Sequence, residues 1–146
     1  MKVKEVIDKC QELLEVENTK DDLLMCLNLV ESELATDYLP LYETHNCNSN
    51  TVKFSELKYK PIRIVSCNCR YKIYPTYIES KENITEIKYT YIPSKKDLHD
   101  ECSYNDMCFK CLVYGTIAEF LCSQGFYEEA AQWSEKYKRE IKLLTF

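Results

Sequence analysis

The sequence predicts an α+β fold: two N-terminal helices, a small central antiparallel β-sheet and a C-terminal antiparallel helix hairpin. Three observations predict it. Apolar residues recur at spacings of three and four at both ends of the chain. In the middle, β-branched and aromatic residues alternate with charge. Gly125 then interrupts the last helical stretch where a reversal fits.

The elements follow in order. Val3, Val6, Ile7, Cys10, Leu13 and Leu14 outline a first helix that breaks at Asn18-Thr19. Thr19 with Asp22 has the form of a capping box, and Leu23, Leu24, Cys26, Leu27, Val30 and Leu34 carry a second helix to about Ala35. Thr36 to Pro40 ends it, because the residue before a proline is driven out of the helical region. Leu41 to Asn50 is polar and aperiodic and reads as an exposed connection. Four strands are expected at Ile62–Cys67, Arg70–Tyr74, Thr76–Glu79 and Ile84–Ile92, with tight turns at Ser66–Cys69 and Ser80–Asn83. Pro93 ends the last strand, and Ser94 to Asp100 is a polar hinge.

Ser103 with Asp106 suggests a cap for a third helix, whose buried face is Tyr104, Met107, Cys108, Cys111, Tyr114, Ala118 and Leu121. Gly125 can take the left-handed conformation that closes this helix, so that a fourth begins at once along Phe126, Ala130, Trp133, Tyr137, Ile141 and Leu144. Trp133 and Tyr137 are expected to pack against Tyr114 and Ala118. The whole reads as one domain over residues 1–146, in which 1–40 and 101–146 form a helical body and 50–93 an inserted β-region.

Charge and composition exclude several functions. No apolar run approaches the roughly 20 residues needed to cross a bilayer, and the first residues lead into a charged amphipathic helix, so neither a membrane protein nor an ordinary exported one is expected. The net charge of −5 does not attract a phosphate backbone. Lys53, Lys58, Lys60 and Arg63, and the cluster Lys136, Lys138, Arg139 and Lys142, are interleaved with Glu or apolar residues and read as solvated faces. The 12 tyrosines supply bodies suited to protein interfaces, although an AT-biased coding sequence would supply them as well.

Nine cysteines are present. Cys67-x-Cys69 and Cys108-x-x-Cys111, with His45-x-Cys47 or His99-x-x-Cys102, contain enough donors for tetrahedral zinc. The spacing argues otherwise: Cys108 and Cys111 lie a turn apart in a predicted helix, and Cys10, Cys26 and Cys122 sit on or beside apolar stripes, where cysteine acts as a small hydrophobe. An odd count argues against a disulfide framework. No metal, cofactor or catalytic residue is assigned. Cys47 beside His45 lacks an orienting third group, no glycine-rich loop cradles phosphate, and Asp21-Asp22, Glu31 with Glu33 and Glu128-Glu129 read as acidic pairs at helix starts or on outer faces.

The order of elements resembles the head-to-tail adaptor, or connector, proteins of tailed bacteriophages, including the tail-tubular-protein-A type. The resemblance rests on Ala35-Thr36-Asp37-Tyr38-Leu39-Pro40-Leu41 closing the helix pair, on Ser55-Glu56-Leu57, Pro61-Ile62-Arg63-Ile64, Tyr71-Lys72-Ile73-Tyr74-Pro75 and Tyr89-Thr90-Tyr91-Ile92-Pro93, and on Val113 to Phe120 with Gly125 to Trp133 and Tyr137. The cysteine enrichment departs from the family pattern.

The resemblance implies a non-enzymatic structural subunit of a twelve-fold ring in the virion neck, assembled in the host cytoplasm. Its partners would be other copies of itself, the portal protein, and the tail or a second neck protein. Double-stranded DNA would pass through without being tightly bound. Two alternatives stand beside this: a zinc-stabilised regulatory or nucleic-acid-binding module, and a cytoplasmic protein-interaction domain.

Overall fold

The structure is a computed structural model and describes residues 1–145. Element order follows the expected α+β plan: α1 (Val3–Leu14), α2 (Lys20–Glu33), β1 (Tyr42–Lys53), β2 (Lys60–Cys67), β3 (Lys72–Ile73), β4 (Tyr77–Ile92), α3 (Phe109–Ser123) and α4 (Tyr127–Leu144). The chain forms two compact units, one of Met1–Leu34 with Lys95–Phe146 and one of Ala35–Ser94. The inserted unit therefore begins earlier than the expected β-region.

In the helical unit, α3 is the central element and packs against α1, α2 and α4. Its buried residues are Cys111, Leu112, Val113, Gly115, Thr116, Ile117, Phe120 and Leu121, so it is covered on most sides rather than along the single stripe expected. Met107 is correspondingly exposed while Tyr104 and Cys108 are buried. The start of α3 also differs. Asn105, not Ser103, supplies the cap: its Oδ1 accepts from Met107 N at 3.0 Å, and a 3-10 turn over Asp106–Cys108 leads into the helix.

The end of α3 matches the expectation. Gly125 has φ +86, Phe126 N donates to Leu121 O at 2.9 Å and Gly125 N to Cys122 O at 3.1 Å, the bond pair of a Schellman closure. α1 closes on Glu15 at φ 54, where Val16 N reaches Gln11 O. No glycine marks that site. Thr19 does occupy the cap position of α2, yet its hydroxyl accepts from Gln11 Nε2 at 3.4 Å and makes no cap bond. α2 ends at Glu33 in a π-helical turn over Leu34–Tyr38.

The sheet order is β1-β4-β2, antiparallel throughout, with β3 also paired to β4. Residues 41–50, expected to be a connection, mostly belong to β1. Glu43, His45 and Cys47 are half-buried and alternate with exposed Tyr42, Thr44, Asn46 and Asn48, a period of two written in polar residues and therefore without a hydrophobic signal.

The strands expected at Thr76–Glu79 and Ile84–Ile92 are one strand, β4. The residues expected to turn between them, Ser80–Asn83, bulge instead: Glu79 pairs with Thr51 and Ile84 with Ser49, so four residues face one. Ser80 is buried there, its hydroxyl donating to Arg70 O at 2.6 Å and accepting from Glu82 N at 3.1 Å. Val52, Leu57, Ile78, Ile84, Ile87 and Tyr89 form the core of this unit, and the hydroxyl of Tyr89 accepts from Tyr59 N at 3.3 Å.

Candidate functional site

The thiols are divided between the two units. All nine are free: Cys10, Cys26, Cys108 and Cys111 are buried, Cys47, Cys67, Cys69 and Cys102 half-buried, and Cys122 exposed. Cys108 and Cys111 belong to the helical unit, Cys47, Cys67 and Cys69 to the sheet unit. Among the described residues no three His, Cys, Asp or Glu side chains are grouped as metal ligands.

Cys47, Cys67 and Cys69 pack on the Ile84–Ile87 core, where Cys47 Sγ donates to Ile84 O at 3.2 Å and Cys69 Sγ lies 3.3 Å from Ser80 Oγ. Burial, with smaller contributions from Cys67, Glu56 and Cys69, raises the Cys47 pKa. The thiol beside His45 is thus held protonated at neutral pH, the reverse of an activated nucleophile. Burial likewise pushes Cys10, Cys102 and Cys111 up to about 12 and Cys26 to about 11.

One polar site was missed. Glu31, read as part of an outer-face pair, is 1% exposed. It lies four residues after Leu27 and three before Leu34, on the apolar stripe itself, and that position was its only sequence signal. Its Oε2 accepts from Ser103 N at 2.8 Å, and its Oε1 is 3.7 Å from the Lys96 ammonium with no hydrogen bond.

One turn earlier, the side-chain amide of Asn28 donates to Leu24 O and Lys96 O at 3.1 Å each, and its oxygen accepts from Lys96 N at 2.7 Å. Two side chains of α2 thus hold the segment that re-enters the helical unit. Desolvation raises the Glu31 pKa, opposed by the Ser103 N–H and the Lys96 charge.

The charged surface is more sharply organised than the sequence suggested. Of the 19 Lys and Arg and 24 Asp and Glu, eight and six lie in Ala35–Ser94, giving that unit +2, while 11 and 18 lie in the helical unit, giving it −7. Residues 57–78 contain five cations and no carboxylate. β2 and β3 pair with the same side of β4, so Lys60, Arg63 and Lys72 share one sheet edge, with Arg70 in the link between the two strands, and all four are exposed. Arg70 and Lys72 were not among the expected basic residues, because the pairing of β3 brings Lys72 to that edge. No helix among the described residues is long and apolar enough to cross a membrane.

No protein-family model matches the chain, and no curated protein matches it.

Proposed function

We propose that the chain is a structural subunit of a phage head-to-tail connector ring in the virion neck, joining the portal to the tail or to a second neck protein. The observation that carries the reading is the order of elements: a helix pair, an inserted antiparallel sheet and a closing helix hairpin, the plan on which the sequence resembles connectors. The charge supports it. A ring through which DNA must slide gains from a net charge of −5, which limits phosphate contacts and hence friction.

In this reading the helical unit is the body of the ring, and the sheet unit contributes contacts to neighbours or tail. Catalysis plays no part. Negative-stain imaging of the purified protein tests the reading: rings with a central channel are expected, and uniformly small monomeric particles at every concentration would count against it.

A further inference from the structure

We propose that neighbouring copies dock through opposite charge, the β2–β3 edge of one copy against the α1–α2 end of the next. The first surface carries Lys60, Arg63, Arg70 and Lys72, and among the described residues none of these four forms an ion pair. Val65 stands between Arg63 and Arg70 in the chain and Ile73 directly follows Lys72, and the two are 48% and 62% exposed.

The second surface is the turn from α1 into α2. Residues 12–22 contain five carboxylates and one cation, Lys20. Glu15, Glu17, Asp21 and Asp22 are all exposed, and the bond between Gln11 and Thr19 holds the two helix ends together. Leu13 and Met25 are exposed among them at 40% and 65%. Each surface therefore combines exposed apolar residues with an excess of one sign of charge, cationic on the first even with Glu79 opposite Lys72 and anionic on the second even with Lys20, and the excesses are opposite.

That composition selects the occupant. Phosphate would satisfy the cations but leave Val65 and Ile73 in water, whereas a protein surface with exposed apolar residues and an acidic excess satisfies both. This chain has such a surface. Like-signed patches repel, so a two-fold contact through either one is disfavoured. A contact of one patch with the other can repeat head to tail, and such a heterologous contact makes a ring where its rotation closes. The inference deepens the connector reading and rests on it for ring closure.

Sedimentation velocity on the full chain tests it, with circular dichroism confirming that each variant folds. The wild type should assemble in low salt and dissociate as ionic strength rises to about 0.5 M. Arg63→Glu/Arg70→Glu/Lys72→Glu and, separately, Glu17→Lys/Asp21→Lys/Asp22→Lys should each raise the concentration for half-assembly at least about tenfold. The milder Arg70→Gln/Lys72→Gln should shift it the same way by less.

An equimolar mixture of the two reversed variants should assemble, because each then offers what the other needs. Assembly unchanged by either reversal, or no rescue in the mixture, overturns the docking surfaces while leaving a ring through other contacts. A wild type that stays monomeric at every concentration overturns the docking and counts against the ring reading as well. Retardation of a short DNA duplex by the wild type, lost in the Arg63/Arg70/Lys72 variant, would make the edge a nucleic-acid surface and overturn the proposal.

Discussion

Gly115 and Glu31 set the tightest constraints on individual residues. A methyl group at Gly115 would lie 2.8 Å from both Val30 Cγ1 and Tyr137 Cε1, so α2, α3 and α4 approach one another there as closely as a bare backbone permits. Tyr137 is fixed on the far side, its hydroxyl donating to Glu33 Oε1 at 3.2 Å. Gly115→Ala should destabilise the fold by about 1–3 kcal/mol, the cost of overpacking, as measured by urea unfolding. A variant as stable as the parent would mean the helices are not in that contact.

For Glu31 the expected result depends on pH. Its folded pKa is raised, so the folded state holds the proton more tightly than the unfolded chain. That contribution favours the fold below the ordinary carboxylate range and is lost as pH rises through the raised value. Glu31→Gln keeps an acceptor for Ser103 N and removes the buried charge. It should be at least as stable as the parent at pH 7, with the parent gaining on it as pH falls toward 5. Glu31→Ala strands the Ser103 N–H and should cost about 1–3 kcal/mol. Urea midpoints of the three proteins at the two pH values decide, and a parent that loses ground to Glu31→Gln on acidification would contradict the burial argument.

Among the elements, the C-terminal hairpin tests packing most directly. The rings of Tyr114 and Trp133 are 5.6 Å apart, as the i, i+4 pattern predicts, but Trp133 is only half-buried, with the Lys136 ammonium 4.2 Å over its ring. Trp133→Ala should therefore cost about 2 kcal/mol, below the ~3–5 kcal/mol of a fully enclosed tryptophan. Calorimetry or urea unfolding would show it, and an unchanged midpoint would place the ring outside the hairpin contact.

The same element shows what could be read from sequence. Helical period and a glycine stop are local signals, so α1, α2, α3, α4 and the Gly125 closure were visible. β1 was not, because its alternation runs through Glu43, His45 and Cys47, and only pairing with β4 makes a strand of it. The bulge at Ser80–Asn83 reads as a turn in sequence for a related reason: polar residues signal a break in the ladder, and only the partner strand decides whether the chain reverses. Nor could spacing reveal that β3 would align Lys72 with Lys60 and Arg63 on one edge.

At the scale of the whole molecule, charge is partitioned between the units, +2 on the sheet and −7 on the helices, and a net charge of −5 understates that separation. In the proposed ring, attraction between the sheet unit of one copy and the helical unit of the next would draw on that difference. Whether this chain is a structural part of a phage neck is decided most directly by electron microscopy of the particles made when its gene is deleted from the genome that carries it. The account predicts DNA-filled or leaking heads without tails, whereas normal infectious virions lacking this polypeptide would contradict it.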